Sequence, residues 1–234
     1  MQYLYAEKQN FEDLSSGRVI YQKAGAATFP VRLANEIFLR CFNHLQPKGR
    51  IVVFDPMCGQ GYLLTVLGAQ FGKKIRSLIG ADIDQEVLKV AEKNVGLLTS
   101  VGLHKRKEEI QQLYHQFGKP SHQEALQSVE KWEKWIAPAM ETQLRCQDVF
   151  QPNYPLTEKA DLIMTDVPYG QLANWQHAHA EPMEKLLDSL GESLKPGGIV
   201  AIISDKQQKM KPSGWMRLEK EKIGKRKFEM FRRA

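Results

Sequence analysis

The chain predicts an α/β fold: a doubly wound, Rossmann-like sheet of seven strands, the last two forming an antiparallel hairpin, with one helical insertion. Three observations carry this. Ile51-Val52-Val53-Phe54 is a continuous apolar run, as expected of a parallel strand buried on both faces, and it opens into Asp55 and a Gly59-Gln60-Gly61 turn. Leu162-Ile163-Met164 is a second such run and ends in Thr165-Asp166. Between and around these runs, stretches with helical spacing alternate with strands, the pattern of a sheet covered by helices on both faces.

In chain order, residues 1–30 are polar and irregular and form an N-terminal extension. Leu33, Ile37, Phe38, Phe42 and Leu45 recur near the helical period, so Val31 to Leu45 is expected to be a helix, broken by Pro47 and Gly49. A strand at Ile51–Asp55, a helix from Gly61 to Phe71 and a strand at Ser77–Asp82 follow. Val87, Leu88, Ala91, Val95 and Leu98 then share one face of a helix from Gln85 to Leu98. Residues 99–140 depart from the alternation. They read as an insertion of two polar helices, His104–Phe117 and Ser121–Ile136, broken at Gly118-Lys119-Pro120. Strands are expected at Thr142–Cys146 and Asp161–Asp166. A helix at Glu181–Leu194 is ended by Lys195-Pro196-Gly197-Gly198, and a strand at Ile199–Ser204 follows. Gly224 separates two last strands, Met216–Ile223 and Lys225–Arg232, as a hairpin that closes the sheet edge. The whole reads as a single domain, 1–234, without internal repeats.

Composition narrows the classes. No apolar run approaches the roughly 20 residues that a membrane span needs. The Met1-Gln2-Tyr3-Leu4 start has no signal-peptide pattern, so a cytoplasmic protein is expected. Cys41, Cys58 and Cys146 are scattered and make no Cys-x-x-Cys, which argues against a metal site or a disulfide framework. Residues 205–234 hold eleven Lys/Arg and four acids, net +7, while the whole chain is +6, so the other residues sum to −1. A basic end on a near-neutral body suits a nucleic-acid partner, with Lys225, Arg226 and Lys227 as candidate phosphate contacts. A solvated Lys-rich hairpin would look the same.

The loop after the first strand is the candidate cofactor site. Gly59 and Gly61 allow close approach of a ligand to the backbone, and the next helix presents its N-terminus there. A dinucleotide site would place glycine where Leu64 stands, and its pyrophosphate would be poorly served by Asp55. S-adenosylmethionine has no phosphate and carries a cationic amino group and a sulfonium, which an acid at Asp55 helps. Asp82 ends the second strand 21 residues after Gly61, near the spacing of a carboxylate that binds ribose hydroxyls. Asp84 is assigned to the cap of the following helix. Asp148, at the third strand end, is assigned to the adenine amino group.

Asp166-Val167-Pro168-Tyr169 closes the fourth strand. An exocyclic amine of a base is a poor nucleophile because its lone pair is delocalised into the ring. Hydrogen bonds from it to Asp166 and to the Val167 carbonyl would localise the pair and orient the nitrogen towards a methyl sulfonium. Pro168 stiffens the turn, and Tyr169 would stack on the base. Trp175, His177 and His179 follow in a loop over this end.

Together, Thr28-Phe29-Pro30-Val31-Arg32-Leu33-Ala34, the Asp55–Gly68 stretch, Phe117-Gly118-Lys119-Pro120-Ser121 and Asp166-Val167-Pro168-Tyr169-Gly170 resemble the avilamycin-resistance 23S rRNA guanine methyltransferases of the AviRa type. The likeness runs from about Val19 to the C-terminus. It implies a class I, S-adenosylmethionine-dependent methyltransferase fold and methylation of one guanine of large-subunit rRNA. It implies Asp55, Gly59 and Gly61 for the cofactor loop, Asp82 for ribose, Asp166 to Tyr169 for the target amine, and Phe29-Pro30 beside the methionine moiety. Met57 and Gln60 stand where the resemblance leads one to expect smaller residues. The expected protein is thus a monomeric rRNA (guanine-N) methyltransferase whose partner is 23S rRNA or the large ribosomal subunit. Its rivals are an adenine-N6 methyltransferase on DNA or RNA and a catalytically inactive ribosome- or RNA-binding protein.

Overall fold

The computed structural model describes residues 1–23, 29–137, 139–151, 156, 158–167, 182–210 and 212–234. Seven strands form one sheet: β1 (Ile51–Asp55), β2 (Ile75–Asp82), β3 (Glu141–Cys146), β4 (Ala160–Asp166), β5 (Leu194–Asp205), β6 (Trp215–Ile223) and β7 (Arg226–Arg233), in the order β3-β2-β1-β4-β5-β7-β6. The first five are mutually parallel, and β7 runs antiparallel to both β5 and β6. The seven-stranded doubly wound sheet and its antiparallel hairpin are therefore as expected. At the hairpin end of the sheet the edge strand is β6, because β7 turns inward to lie between β5 and β6.

Helices α1 (Val31–Leu45), α2 (Tyr62–Phe71), α3 (Gln85–Gly96), α4 (Ser100–Phe117), α5 (Pro120–Glu133) and α6 (Pro182–Glu192) complete the fold, with a 3-10 turn at Glu12–Leu14. Two cores follow from the alternation along each strand. Ile51 and Val53 point to the face covered by α1, α2 and α3, and Val52 and Phe54 to the face that holds Leu186, Leu187 and Leu190 of α6. The strand order reverses between β1 and β4, where a doubly wound sheet opens a crevice beyond its carboxyl ends. Among the described residues no helix is long and apolar enough to cross a membrane.

One boundary differs from expectation for a physical reason. Strand β5 begins at Leu194 and runs through the Lys-Pro-Gly-Gly expected to stand between helix and strand. Leu194 pairs with Ala160 and the next aligned pair is Leu162 with Ile199, so Lys195–Gly198 bulges out opposite Asp161. Gly197 takes φ +76°, and Lys195 Nζ meets Asp161 Oδ2 at 2.8 Å. The same Asp161 oxygen accepts the Val52 N–H at 2.8 Å, tying the bulge to the central strand.

The N-terminal segment is fastened by two carboxylates. Glu36 of α1, fully buried, accepts the N–H groups of Leu4, Tyr5 and Ala6 at 2.8, 2.9 and 2.7 Å and the Arg40 Nε at 2.7 Å. Arg40 also donates to Glu219 and to the Gln2 carbonyl, each at 2.7 Å. Farther on, Asp13 accepts Ser128 Oγ and Lys131 Nζ of α5, each at 2.7 Å, while its carbonyl accepts the Trp132 indole at 2.8 Å. Burial pushes the Glu36 carboxyl upward, but the three backbone donors and Arg40 outweigh it and hold its pKa below the ordinary glutamate range. The stability it contributes is therefore present above pH about 4 and lost as pH falls through that depressed pKa.

Glu36→Ala leaves Arg40 buried and three amides without their acceptor. It should cost about 3–5 kcal/mol in urea denaturation and should strip hydrogen-exchange protection from Leu4, Tyr5 and Ala6. Protection unchanged at those amides would mean that the segment is held by something else.

Candidate active site

The loop after β1 is shaped by the requirement that it lie against β2. The Cys58 N–H donates to the Ala81 carbonyl at 2.8 Å, and the Gly59 N–H donates to Asp82 Oδ2 at 2.8 Å. A Cβ on Gly80 would stand 2.6 Å from Leu144 Cδ2 and 3.0 Å from Cys58 Sγ, so only glycine lets the loop settle there. Gly61 starts α2 with φ +71°, and a Cβ there would meet Ala91 of α3 at 3.2 Å. Gly59 is the other kind of glycine. With φ +53° and nothing within 4 Å of a Cβ, its bare backbone faces open space.

That space is a cavity of about 310 Å³ lined, among others, by Phe29, Asp55, Gly59 and Asp166. Asp55 and Asp166 come from the ends of the adjacent strands β1 and β4. Asp55 is 2% exposed. Burial raises its pKa to about 7, with Asp82 and Asp166 adding to the rise as neighbouring negative charges, while the Met57 N–H, 3.2 Å from Oδ1, opposes it. The cavity thus gathers acids at close quarters and favours a cation.

The other expected residues are distributed around it. Asp82, half-buried, accepts Gly59 N–H through one oxygen and Asp84 N–H at 3.0 Å through the other, so it shapes the loop's rim without lining the cavity itself. Asp84 caps α3, accepting from Glu86 N at 2.8 Å. Asp148 accepts the Phe150 N–H at 2.9 Å in a turn after β3 and also stands outside the lining. Phe29 is buried against the cavity, whereas Pro30 is exposed and starts α1. Val167 buries its side chain and gives its N–H to Ile203 at 2.9 Å, so its main-chain carbonyl is what it can offer a substrate. Thr28, Pro168, Tyr169, Gly170, Trp175, His177 and His179 lie outside the described residues.

One expectation fails. Lys227 is 1% exposed, and its ammonium is held by Glu229 and by the Gln208 carbonyl. It cannot reach a phosphate. Strand β7 is interior, so Lys227 and Glu229, two apart, both point into the protein, where Arg217 Nε completes the cluster 2.8 Å from Glu229. Lys225 is exposed, and the Arg226 guanidinium lies 5.3 Å from the centre of the Phe29 ring, beside the cavity.

Sequence reasoning missed the N-terminal wall. Ser16, Tyr21 and Gln22 also line the cavity. Asn94, fully buried on α3, accepts the Tyr21 N–H at 2.8 Å and donates to the Tyr21 and Gln60 carbonyls at 3.0 and 2.9 Å, sewing that wall to the β1 loop. The one available signal was an asparagine three residues after Ala91, inside an apolar stripe. Ile83, 70% exposed directly after Asp82, was likewise not singled out.

The family described as rRNA methyltransferase AviRa matches residues 1–226. A 23S rRNA (guanine(2535)-N(1))-methyltransferase of Streptomyces viridochromogenes is 36% identical, over 97% of this chain and 94% of that protein. A solved structure of rRNA methyltransferase AviRa from the same organism has a TM-score of 0.90 at 35% identity, covering 100% of this chain and 96% of that one. TrmN from Thermus thermophilus, at 15% identity and a TM-score of 0.56 over 90% of this chain and 51% of that one, shares the fold alone.

Because folding raises the Asp55 pKa to about 7, the folded state disfavours its charged form, and stability should fall as pH rises from about 4 to 7. Asp55→Asn cannot ionise. Its thermal midpoint without ligand should gain on the wild type between pH 5 and pH 8. A constant difference across that range would show that Asp55 is not held near neutrality.

Proposed function

The chain belongs to the AviRa family of rRNA methyltransferases, and on that premise we propose that it transfers a methyl group from S-adenosylmethionine to N1 of a guanine in 23S rRNA. The observation that carries the reading is the convergence of Asp55 and Asp166, from neighbouring strand ends, on one cavity at the sheet's switch point. The acceptor differs from the exocyclic amine read from the strand-end motif, because the relative's activity is on N1, the ring nitrogen.

The residues present fit the cofactor. Gly59 leaves room for it, and the buried carboxylate of Asp55 suits its cationic end. Asp82, each of whose oxygens already accepts one backbone amide, would take the ribose hydroxyl protons on its remaining lone pairs, and the exposed Ile83 beside it is an apolar surface that an adenine ring would cover. Asp148, across from Ile83 at the next strand end, is assigned to the adenine amino group. Phe29 flanks the methionine moiety, with Pro30 setting the start of the helix behind it. Bound there, S-adenosylmethionine supplies an electrophilic methyl group on a sulfonium.

The protein's own task is to make guanine N1 nucleophilic and to aim it. N1 carries a proton and its lone pair is delocalised. Asp166 accepts that proton, and the Val167 carbonyl accepts from the neighbouring exocyclic amine, so the ring is held with N1 towards the cofactor side of the cavity. Pro168 and Tyr169 are assigned from sequence to stiffen that turn and to stack on the base. Lys225 and Arg226 remain the proposed phosphate contacts, with exposed Lys206 and Lys209 from the neighbouring loop in place of Lys227.

Asp82→Ala should weaken S-adenosylmethionine binding about ten- to hundredfold in calorimetry, since hydrogen bonds to a charged acceptor are lost. An unchanged dissociation constant would remove Asp82 from the ribose role.

Asp166→Asn should cut tritiated-methyl transfer to 23S rRNA by about a hundredfold or more while cofactor affinity stays within a few fold. Equal losses of binding and rate would make Asp166 a structural residue.

A further inference from the structure

We propose that the turn between α4 and α5 is a second RNA contact, where Phe117 stacks on an unpaired base flanking the methylated guanine. The proposal rests on the rRNA methyltransferase reading and extends it to a surface outside the reaction site.

The turn is built to be stiff. Gly118 ends α4 with φ +61° and returns its N–H to the Tyr114 carbonyl at 2.8 Å, and Pro120 opens α5. On this support Phe117 is 53% exposed, a large ring left half in water. The Lys119 ammonium lies 5.8 Å from its centre, and the His122 ring meets it edge-on at 6.3 Å. From Ile110 through Gln123 there is no Asp or Glu, while His115, Lys119 and His122 fall in that stretch. An exposed aromatic ring beside a lysine, in a stretch of chain without acids, is the chemistry of single-stranded RNA recognition, in which bases stack and phosphates are neutralised.

Position adds to chemistry. A groove of about 430 Å³ lies at the foot of the turn, lined by Ser16, Arg18, Arg106, Leu113 and His122, and also by Glu12 and Glu124, both of which pair with Arg18. Ser16 also lines the 310 Å³ cavity, so the two hollows share one wall. Within this groove His122 Nδ1 is buried without a hydrogen-bond partner among the described residues. A strand that leaves the reaction cavity over Ser16 enters the groove and reaches Phe117. A protein partner would also bury an exposed ring, but it would not call for a stretch free of acids.

The test compares four variants on in-vitro-transcribed 23S rRNA by filter binding and tritiated-methyl transfer. Phe117→Ala combined with Lys119→Gln should raise the RNA dissociation constant and apparent KM about five- to hundredfold, with the rate at saturating RNA and the cofactor affinity unchanged. Phe117→Tyr should bind like the wild type, and Phe117→Leu like Phe117→Ala. RNA affinity of the double variant equal to wild type would overturn the proposal. So would Leu binding as well as Tyr, since any apolar contact would then serve. Absence of transfer by the wild type on 23S rRNA would instead overturn the methyltransferase reading and this proposal with it.

Discussion

Carboxylates that repel one another must be held together at the carboxyl ends of adjacent strands, and most of the fold is organised around that constraint. Asp55, Asp82 and Asp166 end β1, β2 and β4, and each of the last two pushes the buried Asp55 towards neutrality. Parallel strands fixed in register by main-chain hydrogen bonds can carry such repulsion, because no side-chain adjustment relieves it. The β1 loop depends on the same acids. Asp82 accepts the Gly59 amide, so the carboxylate that would hold ribose also sets the path of the backbone that would face the cofactor.

The second organising element is the N-terminal segment, which is remote in sequence yet forms one side of the cavity. Glu36 and Asp13 pin it to α1 and α5, and Asn94 sews Tyr21 to the β1 loop. Tyr21 is further fixed by Glu109, which accepts its hydroxyl at 2.8 Å, and by the Arg106 guanidinium 4.2 Å from its ring centre. Burial and the Glu109 carboxylate raise the Tyr21 pKa to about 12, so it remains a neutral phenol at this wall. The inserted helices thus brace the wall as well as presenting their own turn to solvent.

The sheet was legible because buried parallel strands leave continuous apolar runs, and the turns at Gly59-Gln60-Gly61 and Gly224 are backbone requirements written directly as glycine. The Lys195–Gly198 bulge was not, since Lys-Pro-Gly-Gly stops a helix and bulges a strand equally well. Lys227 misled because a Lys-Arg-Lys cluster looks solvated. Only the strand order shows that β7 is interior, and then the two-residue step to Glu229 becomes a buried ion pair. Asn94, Tyr21 and the N-terminal wall depend on contacts across 73 positions, which periodicity cannot show. Asp82, assigned to ribose from its strand-end position, accepts the Gly59 and Asp84 amides at the rim of the cavity, a tie that spacing alone does not show.

The central proposal is that the acid cluster binds the cationic end of S-adenosylmethionine. Calorimetry of cofactor binding, repeated at pH 7 in buffers of different ionisation enthalpy, tests it most directly. With the Asp55 pKa near 7 in the free protein, a bound cation should draw it down, releasing up to about half a proton and strengthening affinity from pH 6 to pH 8. Binding that releases no proton and is independent of pH across that range would contradict the account.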